Sequence, residues 1–365
     1  MPNSIGKSFT ITSFGESHGK AVGTVVDGCP AGLALTGADI QQDLDRRRSG
    51  GSAVSTPRQE KDRVEILSGV SGGFTTGAPI CLLIRNEDID DAEYEKIRSK
   101  LRPGHADYTA YMKYGGYNDW RGGGRFSGRI TATFVMAGAI ARKLLDTIGV
   151  AIVAHTVEIG GIRAKAMDFN DVKKRSVKNP LYCADAKAAE KMTGLIARTK
   201  KAGDSLGGII EGIAVNVPVG LGEPVFDNLD GDLAKALLAI PAVKGVEFGV
   251  GFAAARLKGS ENTDAFTMTD GKIATATNNA GGILGGISSG MPLVVRVAIK
   301  PTSSIAIEQE TVDIAKLKAA TVKVGGRHDV CIVPRAVPVV EAMMAVTLCD
   351  FAIRAGLILG VLKRK

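Results

Sequence analysis

Residues 121–149 read RGGGRFSGRITATFVMAGAIARKLLDTIG. Three successive glycines lead into a long, mainly apolar stretch from Thr131 to Ile148, rich in alanine and with Leu144 and Leu145 late. This predicts a helix that is apolar nearly all round, and such a helix belongs in an interior rather than on a surface. The segment VPVVEAMMAVTLCDFAIRAG, after Pro338, predicts a second one over 338–355. Strand-like segments surround them: VEILSGV, APICLLIRN, VAIVAHTVEIGGI, GGIIEGIAVNVPVGLG and PLVVRVAIK. Short glycine turns between strands favour antiparallel pairing, and there is no regular βα alternation. A layer of helices covered by sheets fits better than a doubly wound fold.

The remaining helices are amphipathic or charged. In LTGADIQQDLDRRRSGG, Thr36 and Asp39 have the spacing of a capping box. Ile40, Leu44 and Arg47 then share one face, and Ser49-Gly50-Gly51 should end the helix. Arg46, Arg47 and Arg48 fall in the last turn, where the helix dipole alone would favour cations. DIDDAEYEKIRSK predicts an exposed helix, Asp168 to Lys201 a surface helix, and DLAKALLAI a further one. The polar, breaker-rich 49–61 segment is a candidate lid, and NNAGGILGGISSG reads as a glycine loop. No repeat or linker divides the 365 residues, so one domain, 1–365, is expected.

The composition narrows the function classes. Apolar residues make up 45% and charged residues 23%, as in ordinary globular proteins. Aromatics are only 5%, too few for a stacking platform, so no nucleic acid is expected as partner. The net charge of +8 leans towards anionic ligands. Five cysteines without a CxxC pair argue against a disulfide framework or zinc ribbon, and no metal site is expected. MPNSIGKSFTIT has no apolar signal core, and no uncharged apolar run of membrane-spanning length is read. A cytoplasmic protein without membrane contact is expected.

The motifs are loops. Gly15-Glu16-Ser17-His18-Gly19 matches the G-x-S-x-G of serine hydrolases. Ser17 lies too near the N-terminus for the parallel sheet that this nucleophile needs. His155 sits in an apolar strand and reads as structural. Neither a P-loop nor a G-x-G-x-x-G fingerprint is present, so reduction of a bound cofactor by NAD(P)H is not expected. What recurs is glycine loops bearing His or Arg: His18, His105 in RPGHAD, Arg121, Arg125 and Arg129 through the triple glycine, Lys300-Pro301-Thr302-Ser303-Ser304, and Arg327-His328-Asp329. Backbone N–H groups and arginine forks suit anions, and histidines supply protons near neutral pH. Together they describe a site for a small, multiply anionic molecule.

GESHG, RPGHADYT, GGGRFSGRITA, NNAGGILGGISSG, KPTSSI and GRHDVCIVPRAVPVVEAM, in this order from Ser13 to Leu348, closely resemble the chorismate synthase family. The resemblance implies an α+β fold, a β-α-β sandwich with long central helices between two antiparallel sheets. It implies a homotetrameric lyase of the shikimate pathway that converts 5-enolpyruvylshikimate 3-phosphate to chorismate by 1,4-elimination and requires reduced FMN. By the same resemblance His18 protonates the leaving phosphate. His105 protonates or hydrogen-bonds the anionic flavin, and Asp329, near the flavin N5, assists removal of the ring proton. Arg47, Arg58 and Arg129 match substrate-binding positions, with Ser17 as a hydrogen-bonding neighbour. Arg125, Phe126, Ser127, Pro241, Ala242, Gly285, Lys300, Pro301, Thr302, Ser303, Ser304 and Arg327 match FMN-binding segments. Two departures stand out: Ala53 where many members carry Arg, and Phe126-Ser127-Gly128-Arg129 where SSARET is common.

Overall fold

The computed structural model describes residues 2–48, 61–325 and 328–362. Two five-stranded sheets face each other across a helical layer. In the first, Ser4–Ile5, Thr10–Gly15, Ala21–Asp27, Ile80–Arg85 and Val64–Ile66 lie side by side in that order, all antiparallel. The second runs Val243–Phe248, Leu293–Ile299, Gly208–Val215, Ala151–Ile159, Ile162–Arg163, again all antiparallel. Leu293–Ile299 buries every second residue, as a strand with one face on a core must.

The helices Thr131–Asp146 and Val333–Arg354 fill the middle and pack on each other. The first touches strands of both sheets, and the second lies on the second sheet. Gly138 faces Ala342 so closely that a Cβ at 138 would come within 2.3 Å of the Ala342 Cβ. Glycine there lets the two backbones approach. Gly37–Arg47 and Leu229–Leu238 complete the layer, and one continuous apolar core joins helices and sheets. The α+β sandwich expected from the sequence is therefore the observed fold.

Several boundaries differ. The last long helix begins at Val333, not after Pro338. Pro334 lies in its first turn, where no N–H is needed, and Pro338 comes soon enough to remove a single ladder bond. Its 22 residues are long and apolar enough to cross a membrane by length and composition, contrary to the sequence reading, but 94% of that window is buried in the protein. DIDDAEYEKIRSK yields only Ala92–Lys96. The 168–201 region forms two helices, Phe169–Arg175 and Ala186–Lys201, instead of one. The glycine loop near 285 holds a small hairpin, Ile283–Leu284 with Ile287–Ser288.

Candidate active site

A cleft of about 690 Å³ opens at one end of the helical layer. Its walls come from the end of helix 37–47, the 102–109 loop, the triple-glycine loop, the chain from Leu238 to Lys244, the 300–304 run, and the start of helix 333–354. Among the described residues Arg47, Arg102, Arg125, Arg129, Arg335, Lys244 and Lys300 line it, against one carboxylate, Asp329. Burial, and then the nearby Lys244, lower the Lys300 pKa.

The capping box at Thr36 and Asp39 forms as read, and the helix it starts carries Arg47 inward. Arg47 is 3% exposed, which replaces the solvated helix end by a buried cation. Its guanidinium donates to the Gly128 and Arg129 carbonyls and to Thr131 Oγ1 at 3.3–3.4 Å, and to Asp62 Oδ2 at 3.1 Å. Arg129 donates to Asn86 Oδ1 at 2.9 Å and also pairs with Asp62.

The triple glycine lies between the two histidines. Gly122 and Gly123 have φ of 56° and 81°, which glycine adopts without a Cβ penalty. A Cβ on Gly122 would come within 2.4 Å of His18 Nε2, and one on Gly123 within 3.2 Å of His105 Nε2. The Ser17 N–H donates to the Gly124 carbonyl at 3.2 Å, tying the GESHG loop to this one. His18 and Ser17 do not line the cleft: His18 is 6% exposed and sits behind Gly122. Its Nδ1 is 2.5 Å from Asp91 Oδ1, so the Nε2 edge is the one turned to Gly122. Ser17 Oγ is buried with no partner among the described residues.

His105 lines the cleft with its Nδ1 2.6 Å from Asp107 Oδ1. Asp107 also accepts from Arg102 at 2.7 and 2.8 Å. Burial pushes this carboxyl up, but the hydrogen bonds from Arg102 and His105 outweigh it and hold it well below the ordinary range. The Asp329 carboxylate accepts from Arg335 Nη1, and its carbonyl accepts from Thr302 Oγ1 at 3.0 Å.

Phe126, Ser127, Pro241, Ala242, Lys300, Thr302, Ser303 and Ser304 line the cleft. Pro301 does not. Gly285 lies at the hairpin packed on the first turn of helix 229–238, whose last turn borders the cleft. Arg58, Arg327 and Ala53 fall outside the described residues, as does the candidate lid except Lys61. Arg102, Asp62, Asp91, Asp107, His328 and Arg335 were not singled out from the sequence. Arg102, Asp107, His328 and Arg335 lie inside quoted motifs, where an acidic residue two positions after a histidine is a usable signal. Asp62 and Asp91 carried none, since their partners are distant in sequence. His155 is fully buried, with Nε2 3.3 Å from Glu211, a structural position.

A family model for chorismate synthase matches residues 9–353. The chain is 58% identical to a chorismate synthase of Dehalococcoides mccartyi over 364 residues, the full length of both. It is 54% identical to one from Korarchaeum cryptofilum over 96% of this chain and 97% of the relative. A crystal structure of chorismate synthase superposes with a TM-score of 0.75 at 32% identity, covering 96% of this chain and 93% of that one.

Proposed function

The chain belongs to the chorismate synthase family, and from that premise we infer that the cleft beside the triple-glycine loop is its catalytic centre. The chain catalyses the last step of the shikimate pathway, in which 5-enolpyruvylshikimate 3-phosphate loses phosphate and a ring proton to give chorismate. The observation that carries the placement is the lining of seven Lys and Arg side chains against one carboxylate. A substrate with two carboxylates and a phosphate needs such a surface, because buried charges require partners.

The family needs a flavin, and the residues present fit reduced FMN. Ile240, Pro241, Ala242 and Ile332 offer an apolar wall, while Lys300 and the Thr302, Ser303 and Ser304 hydroxyls offer a phosphate seat in a cleft of about 690 Å³. Arg125, Phe126 and Ser127 complete this set, with Pro301 added by resemblance. When bound, reduced FMN supplies transient electron density and recovers it, so no net redox change results.

The chain's own groups supply binding and protons. Arg47 and Arg129 hold substrate anions, with Arg58 and, from behind the cleft wall, Ser17 as further contacts by resemblance. By resemblance His18, which stands behind Gly122 rather than on the cleft wall, donates a proton from Nε2 to the leaving phosphate, with the Asp91 carboxylate on Nδ1 fixing its tautomer. His105, fixed by Asp107, hydrogen-bonds the flavin. Asp329, paired with the neighbouring Arg335, assists removal of the ring proton. Arg327 belongs to the flavin contacts by resemblance.

Anaerobic incubation with 5-enolpyruvylshikimate 3-phosphate and reduced FMN releases phosphate and forms chorismate; folded protein giving neither would sink the reading. His18→Ala lowers turnover by about 10²-fold or more, the size of a lost general acid, with substrate binding retained. Unchanged turnover would return His18 to a structural role. We also propose a cytoplasmic homotetramer. Phe226, Phe252, Phe266 and Ile273 are 72–96% exposed, which supports contacts between subunits, and light scattering would give the mass.

A further inference from the structure

Asp62 is a buried carboxylate, 1% exposed, that does not line the cleft. One oxygen accepts from Arg47 and the other from Arg129. Those two arginines come from different elements: the last turn of helix 37–47 and the entry to helix 131–146. Without an anion between them, two guanidinium groups this deeply buried would repel each other, and each would lose its fixed direction. Asp62 does not line the cleft that both arginines line.

The position of Asp62 is itself fixed. Gln41, on the same helix as Arg47, donates to the Asp62 carbonyl at 3.1 Å and accepts from the Val64 N–H at 3.1 Å. A single amide thus clamps the backbone on both sides of residue 63. Asp62 has φ of 47°, in the left-handed region that few non-glycine residues adopt. Asn86 holds Arg129 from a third direction.

We propose that Asp62 is a positioning residue for substrate anions: it sets the spacing and direction of Arg47 and Arg129, with Gln41 as its clamp. This rests on the reading that these two arginines bind substrate. The carboxylate bridges the two guanidinium groups and so orders them as a pair, while both side chains line the cleft. The flavin-side residues, Lys300 to Ser304, share no hydrogen bond with Asp62.

The test uses the full-length enzyme with reduced FMN under anaerobic conditions. Asp62→Asn keeps the shape and removes the charge. The expected result is a KM for 5-enolpyruvylshikimate 3-phosphate raised at least about tenfold, kcat changed less than about threefold, and FMN affinity unchanged. Gln41→Ala, which leaves both arginines and the Asp62 carboxylate in place and removes, besides the clamp, a hydrogen bond to Asp45 Oδ1, moves KM in the same direction by a smaller factor. It serves as the decisive variant should Asp62→Asn not fold. Arg129→Lys, run in parallel, checks the underlying reading. If Arg129→Lys raises KM and the folded Asp62 and Gln41 variants do not, the positioning role is overturned. If Arg129→Lys also leaves KM unchanged, the substrate-site reading fails first. A joint loss of substrate and flavin affinity in the Asp62 and Gln41 variants would mark a merely structural residue and overturn the proposal as well.

Discussion

Gly122 shows how a residue without a side chain serves a site. Its φ of 56° and the His18 ring beside it both exclude a Cβ. Gly122→Ala would force the imidazole away from the cleft wall, and a misplacement of about 1 Å can cost about 10²-fold in rate. Gly123→Ala shares the backbone strain of a positive φ but meets His105 at 3.2 Å, which asks the ring for a shift of a few tenths of an ångström. Turnover should therefore fall further in Gly122→Ala than in Gly123→Ala, with both proteins folded by circular dichroism. The reverse order would show that His105, not His18, is the histidine whose placement limits the reaction. The sequence revealed the glycines, the histidines and Arg47 because loop chemistry is local. It did not reveal what stands behind them. Asp91 on His18 and Asp62 on Arg47 and Arg129 are joined only by folding, and a lone Asp in a polar segment looks the same whether it is solvated or buried. Arg47 itself was ambiguous for that reason until its burial decided it.

At the scale of elements, the apolar helices were legible because hydrophobicity on every face has one physical solution, burial between layers. The strand Val243–Phe248 was harder to see: its burial pattern lacks alternation, as expected for an edge strand carrying a register shift. The start of the last helix was misplaced because two prolines in its first turns look like a break. The crossing of the two central helices gives the sharpest prediction at this scale. Alanine is the better helix former, so an exposed glycine replaced by alanine gains stability. At Gly138 the added methyl would instead meet the Ala342 Cβ at 2.3 Å and its Cα at 2.5 Å. Gly138→Ala should therefore destabilise by about 1–3 kcal/mol, the usual cost of overpacking. Chemical denaturation would show the midpoint falling with an unchanged slope. A stabilised variant would mean that the helices slide apart freely, against the close packing of this core. Because both helices lead to the cleft, the same variant should also lower turnover.

At the scale of the whole molecule, stability responds to pH through groups buried far apart. Burial pushes the Cys29 and Cys331 thiols up to about 12 and Cys349 well above its ordinary 9.0. In the unfolded chain these thiols ionise near 9, whereas in the folded protein they keep their protons. Between those values the folded state binds more protons, so stability falls as pH rises. On the acid side the sign reverses. Burial raises the Asp62 carboxyl, but Arg47 and Arg129 outweigh it and hold it below the ordinary 3.8. Asp107 is held down likewise by Arg102 and His105. Their contribution is complete above about pH 4 and is lost as pH falls through their folded values. Burial lowers His328 from 6.5, which adds a shallower decline just below that pH. Stability is thus highest between the histidine and thiol limits. The alkaline limb is the most specific test, since each fully protected thiol adds a slope of about 1.4 kcal/mol per pH unit. Replacing Cys29 and Cys349 by alanine lowers stability at pH 7 by leaving small cavities, yet makes the decline from pH 9 to pH 11 shallower than in the parent. Denaturation midpoints across that range decide it. Parallel declines in parent and variant would assign the alkaline limb to lysines and tyrosines instead of the buried thiols.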